Sequence, residues 1–278
     1  MNNYQVTKLN KIYLFKQNIN LDIIKDLFYK MYNNIFFSTF PYILYKETMS
    51  SNCINKYNSG NCIAIAEFMK KFLNSNYNLK SYLIPASVPK SCKVLGTGYL
   101  SHVALLIPIS EYEFYILDGA LYFVSPIYCN LNDNIRRHCY LTDVYEYKLR
   151  KINYEIKDCE KIQLDDKYNQ KLLDSSICVK CIYDIYPEEN WEYYLNEIEN
   201  PDNNIGYLFL QCKKDPFIMQ TSYNNNKVKM EYKLMLDLEK NILKIVKYPE
   251  KKILYNSEPT MNNDIVINLN KYLSDHIV

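Results

Sequence analysis

Residues 97–123, TGYLSHVALLIPISEYEFYILDGALYF, decide the fold. Two apolar runs, YLSHVALLIPI and FYILD, lie on either side of a short polar turn centred near Ser110. Runs of this length, rich in Val, Ile, Tyr and Phe and bounded by turn residues, read as β-strands. The short link between them makes a hairpin. Folded about residue 110, it places His102 and Asp118 directly opposite each other on one face. Opposed residues have Cβ atoms about 5 Å apart, from which a carboxylate can hold an imidazole.

Forty residues upstream of the histidine lies SGNCIAIAEFMKKFL, Ser59–Leu73. Its apolar positions, Ile65, Phe68, Met69, Phe72 and Leu73, have helical spacing. Asn61 is a good N-cap, so Cys62 falls in the first helical turn. The chain has only five glycines, and four of them, Gly60, Gly96, Gly98 and Gly119, fall between residues 60 and 119. In so glycine-poor a chain, each is expected where the backbone needs it. A cysteine at a helix start is ordinarily a small apolar filler, a lone strand histidine a satisfied core residue, and Asp-Gly a turn. All three together, with His102 and Asp118 in register, read as a nucleophile, a base and an orienter. The partial positive charge of a helix N-terminus favours a thiolate at Cys62.

The whole chain of 278 residues is 48% hydrophobic with net charge +2, enough for one large domain or a few small lobes. That charge balance offers no footprint for nucleic acid or an anionic membrane. No window of about 20 apolar residues suggests a membrane span. The polar start MNNYQVTKLNKIYLFKQ lacks the apolar core of a secretion signal, so a cytoplasmic location is expected. Nine scattered cysteines then read as reduced thiols, with no disulfide framework. Cys178 and Cys181 form a lone CxxC; with His138 and Cys139 it could be imagined as a zinc site, but strand thiols are the simpler reading.

The expected fold class is α+β. A helical lobe over 1–78 carries the nucleophile, and includes a helix in NLDIIKDLFYKMYNNIF capped at Asn20 or Asp22. Residues 46–60 read as a polar loop. A central antiparallel β-barrel or sheet over 79–186 carries His102 and Asp118. A mixed α/β lobe over 187–278 has a helix at 188–199 bearing Trp191, strands to about 247, a hairpin turn at YNNNK (223–227) and a last helix near NDIVINLNKYLSDHI.

These residues resemble the arylamine N-acetyltransferases, within the wider group of transglutaminase-like and papain-like cysteine enzymes. The gaps of 40 residues from Cys62 to His102 and 16 from His102 to Asp118 are close to that family's own. TGYLSHVALLIPI resembles its Thr-Gly, spacer, His and apolar strand, and YILDGALYF its aliphatic strand ending in Asp. PEENWEYYLNEIENPDNNIGYLFLQCKKDPF is loosely similar to its entry into the third lobe. The resemblance implies a cysteine-proteinase-like core and a Cys62–His102–Asp118 triad. It also implies ping-pong transfer of an acetyl group from acetyl-CoA, as donor substrate, to a small-molecule amine, with no metal and by a monomer. Backbone N–H groups, that of Cys62 among them, would form the oxyanion hole. Thr97 and Gly98 would lie by the CoA path, and Leu121 and Phe123 would line the acceptor pocket. The family's Arg-Gly-Gly-aromatic-Cys is Asn58-Ser59-Gly60-Asn61-Cys62 here, and its Gly-Phe-Gly after the aspartate is Gly119-Ala120-Leu121. Two other readings use the same residues: an amide hydrolase or deamidase of the wider group, and a non-catalytic binding relative.

Overall fold

The computed structural model describes residues 9–93, 98–133, 137–144, 148–159, 176–203 and 216–257. In chain order they form β1 (Leu9–Lys11), α1 (Leu21–Asn34), β2 (Phe36–Ser38), α2 (Phe40–Ile43), α3 (Ser50–Tyr57), β3 (Ser59–Gly60), α4 (Cys62–Tyr77), β4 (Tyr82–Ala86), β5 (His102–Pro108) and β6 (Glu113–Leu117). There follow β7 (Ile127–Asn130), β8 (Arg137–Asp143), β9 (Lys148–Cys159), β10 (Ser176–Tyr183), β11 (Asn190–Tyr194), β12 (Asn196–Ile198), β13 (Phe217–Asn224), β14 (Lys227–Asp237), β15 (Ile242–Lys247) and β16 (Lys252–Ser257).

The central body is an eight-stranded antiparallel sheet, ordered β7-β6-β5-β4-β11-β10-β9-β8. A bridge from Phe123 to Leu141 ties the segment before β7 to β8, so the sheet nearly closes on itself. Strand β5 is buried along its whole length. Its odd residues, Val103, Leu105 and Ile107, pack with Ile24, Leu27 and Met31 of α1 and Ile65, Met69 and Leu73 of α4. Its even residues Ala104 and Leu106 join Phe114, Ile116, Val179 and Trp191 on the other face. A strand covered on both faces reads as a continuous apolar run, as HVALLIP does. Each fully buried Leu or Ile there contributes about 1.5–3 kcal/mol.

A six-stranded sheet, ordered β16-β15-β14-β13-β2-β3, joins the start of the chain to its last described third. Its β2–β3 pair is parallel, with Phe37 opposite Gly60. Asn224 pairs with Lys227, and Asn225 and Asn226 form the two-residue turn with positive φ, as expected for YNNNK.

Several expectations change. Residues 188–199 are not a helix: Trp191, Tyr193 and Tyr194 lie on β11, inserted between β4 and β10. Aromatic residues favour strands, and here the partner strands supply the ladder. The polar stretch 46–60 is not all loop, because Ser50–Tyr57 forms α3. Cys159 and Cys178 are joined as a disulfide, so the thiols are not all free. The two sit diagonally across β9 and β10, with Cα atoms 6.0 Å apart, inside the range a disulfide spans. Cys181 remains a free, buried thiol. The helix expected near NDIVINLNKYLSDHI lies outside the described residues.

Candidate active site

Helix α4 begins where the sequence indicates. The Asn61 side chain accepts from the Ala64 N–H at 3.1 Å, and Cys62 is the first helical residue. A Cβ on Gly60 would sit 2.4 Å from the Ala64 Cβ, so only glycine lets the chain enter the helix so closely. Cys62 is buried, 7% exposed, and its thiol lies near enough to the His102 imidazole to raise that ring's pKa.

The hairpin turns one residue later than residue 110. Leu105 pairs with Leu117 and Pro108 with Phe114. Ala104 therefore stands opposite Asp118, and His102 is the diagonal neighbour of Asp118 on the same face. The two side chains bridge that diagonal, with His102 Nε2 2.6 Å from Asp118 Oδ2. With Nε2 so engaged, Nδ1 is the ring nitrogen left for the thiol. Moving the turn by one residue changed the partner and kept the face, because each strand shifted by an even step in the pairing.

Asp118 is fixed on three sides. Besides His102, Oδ2 accepts from the Tyr193 hydroxyl at 2.7 Å, and Oδ1 accepts from the Leu121 N–H at 3.0 Å. A Cβ on Gly119 would lie 2.6 Å from Met31 Sδ and 2.7 Å from Ile65 Cγ2, so the glycine lets α1 and α4 press onto this turn. Tyr193 was not singled out from sequence. It comes from β11 as the partner of Ala86, which is itself the partner of His102 on β5. The small Ala86 side chain leaves the row open for the tyrosine to reach the carboxylate. The available signal was the β-prone aromatic run around Trp191.

The electrostatics follow from burial and contact. Burial pulls the His102 pKa down. The Asp118 carboxylate, its hydrogen bond and the Cys62 sulfur outweigh that, and His102 is held well above its ordinary value. Burial first, then the nearby Asp118, pushes Tyr193 well above the usual phenol range, so it stays a hydroxyl donor. The trio thus has a shielded base with one nitrogen oriented by a carboxylate and the other available to a thiol, the arrangement of a nucleophilic cysteine site.

No protein-family model matches the sequence, and no curated protein matches it. Solved structures do match in three dimensions. The NAT3 arylamine N-acetyltransferase of Bacillus cereus, described as having a unique Cys-His-Glu catalytic triad, superposes with a TM-score of 0.57 at 14% identity, covering 92% of each chain. The fold is that of the arylamine N-acetyltransferases. The Salmonella typhimurium arylamine N-acetyltransferase matches with a TM-score of 0.53 at 10% identity, over 92% of this chain and 86% of its own. The Mycobacterium smegmatis arylamine N-acetyltransferase matches with a TM-score of 0.50 at 9% identity, over 95% and 87%.

The other residues expected from the arylamine N-acetyltransferase resemblance are placed differently from one another. Leu121 is half-buried beside Asp118, to which its N–H donates. Phe123 is fully buried, its ring edge-on to Trp191 at 6.2 Å between centroids. Gly98 is buried in the segment leading to His102, and Thr97 lies outside the described residues. Among the described residues, no group of His, Cys, Asp or Glu is arranged to hold a metal, and no helix is long and apolar enough to cross a membrane.

Proposed function

We propose that the chain is a cysteine-dependent N-acyltransferase that moves an acetyl group from acetyl-CoA to a small-molecule amine. The observation that carries this reading is the buried 2.6 Å contact from His102 Nε2 to Asp118, with the Cys62 thiol against the same imidazole. The arylamine N-acetyltransferase fold supports it.

In the first half-reaction the Cys62 sulfur, its proton held by His102, attacks the thioester carbonyl. The C–S bond to CoA breaks as the tetrahedral intermediate collapses, and His102 returns its proton to the departing thiolate. In the second, the amine nitrogen attacks the Cys62 thioester. His102 takes the amine proton, and Cys62 leaves as the sulfur anion. Asp118 fixes the ring and stabilises its charged form throughout, without itself taking the proton. The Cys62 N–H at the start of α4 is a donor for the oxyanion. Leu121, with exposed surface next to Asp118, fits the acceptor side, and Phe123 supports it from behind. Thr97 and Gly98, just before His102, fit the CoA side.

Intact-protein mass spectrometry after incubation with acetyl-CoA and no acceptor tests the reading. One acetyl group mapped to Cys62, and absent from Cys62→Ala, is expected. No adduct on a Cys62 that still alkylates rapidly at neutral pH would shift the reaction to amide cleavage. No adduct on a sluggish thiol would leave a binding protein.

A further inference from the structure

We propose that Asp202, acting through Ser50 and Tyr42, is a positioning residue that fixes the turn carrying Cys62; this rests on the reading of Cys62 as the nucleophile. Four buried hydrogen bonds run in one direction toward the Asp202 carboxylate. The Asn61 N–H donates to the Tyr42 hydroxyl at 3.2 Å. That hydroxyl donates to Ser50 Oγ at 3.1 Å. Ser50 then donates twice to Asp202, from Oγ to Oδ1 at 2.5 Å and from its backbone N–H to Oδ2 at 2.8 Å.

The direction is forced at the Asn61 end. A backbone N–H can only donate, so the Tyr42 hydroxyl is left to donate onward; Ser50 Oγ has its nearer acceptor in Asp202 at 2.5 Å and a longer one in Asn61 Oδ1 at 3.4 Å. Aligned bonds of this kind polarise one another. Ser50 and Asn61 are wholly buried, Tyr42 is 6% exposed and Asp202 8% exposed, so water does not compete along the chain.

What the chain holds is the residue before the nucleophile. Asn61 has its N–H on Tyr42, its carbonyl accepting from the Ile65 N–H at 3.1 Å, and its side-chain oxygen accepting from Ala64. Every backbone polar group of Asn61 is thereby used. The Tyr42 hydroxyl also closes the other side of the turn, 3.1 Å from where a Gly60 Cβ would be. Cys62 is one peptide unit further on, so what fixes Asn61 also limits where the Cys62 Cα can sit. Asp202 also does for α3 what its own N-cap does not. Met49 makes no side-chain cap bond, and the carboxylate takes the first helical N–H from 152 residues away.

The test is the rate at which iodoacetamide alkylates Cys62 across about pH 5 to 9, read by peptide mass mapping with the exposed Cys92 as internal reference. It needs no CoA or acceptor. Wild type is compared with Tyr42→Phe, Ser50→Ala, Asp202→Asn and the Tyr42→Phe/Asp202→Asn double variant, each below its own melting temperature. The expected result is a fall of about ten- to hundredfold at Cys62 with an altered pH profile, and none at Cys92. Because the two sites act in series, the double variant should fall hardly further than the worse single one. Folded variants that keep the wild-type rate and profile at Cys62 overturn the proposal while leaving the acyltransferase reading intact. Should Asp202→Asn fail to fold, Tyr42→Phe, which removes one oxygen, decides alone. A wild-type Cys62 no faster than Cys92 sinks the acyltransferase reading, and this inference with it.

Discussion

The strand side of the site and the helix side hold their groups by different means. His102 and Asp118 sit on adjacent strands inside an eight-stranded sheet, and Asp118 alone accepts from an imidazole, a phenol and a backbone N–H. Cys62 has no ladder. It is placed by a helix start, a capping asparagine, a glycine pressed against Ala64 and the Tyr42–Ser50–Asp202 hydrogen bonds behind Asn61. The strand side is therefore redundant in its supports, whereas the helix side depends on a few close approaches. Changes in the first should reach the chemistry before the fold; changes to the close approaches of the second, at Gly60 above all, should reach both.

The largest expected effect is at Cys62, the proposed nucleophile. Cys62→Ala should abolish acyl transfer, a loss of about 10⁴-fold or more, with the thermal melt nearly unchanged. Measurable activity near the wild-type level would remove Cys62 from the mechanism. Asp118→Asn should lower the rate by about 10³- to 10⁴-fold by mis-setting the imidazole tautomer, at little cost to folding. A loss under about tenfold would make Asp118 a turn residue only.

Gly60→Ala separates the two sides most sharply. The added Cβ meets Ala64 Cβ at 2.4 Å, so the variant should lose about 1–3 kcal/mol in denaturant melts and lose activity with it. A variant as stable as wild type would mean that the helix start yields easily. Tyr193→Phe should cost about 1 kcal/mol or less in stability and reduce the rate about tenfold through Asp118, with the fold intact.

The smallest effect is in the pH dependence. The folded His102 pKa is raised above its unfolded value of 6.5. The stability it contributes is thus full below about pH 6.5 and is lost as pH rises through the raised value. The melting-temperature gap between wild type and Asp118→Asn should narrow on the alkaline side. A gap that widens there would contradict a charged His102 paired with Asp118.

The same contrast explains what could be read from residue order. The Cys62 helix start was legible because capping is local: Asn61, the apolar spacing and Gly60 stand within one turn of one another. The face shared by His102 and Asp118 was legible because it needs only parity between strands. Their diagonal pairing was not, since the turn geometry at Ile109–Tyr112 chose it. Tyr193 was invisible because its role depends on β11 docking against β4, more than a hundred residues upstream. Asp202 was hidden for the same reason, and the disulfide between Cys159 and Cys178 depended on the register of two long strands. Local signals carried the Cys62 helix start; long-range pairing carried what supports it.

That pairing also sets an order of events during synthesis. Strand β2 lies between β3, which leads into Cys62, and β13, where Phe37 meets Met219 and Ser38 meets Ile218. The row that steadies Asp118 waits for Tyr193 to reach Ala86. A nascent chain with Cys62, His102 and Asp118 already outside the ribosome still lacks both partners. The thiol would become competent only after β13 has emerged, since contacts this distant in sequence close late.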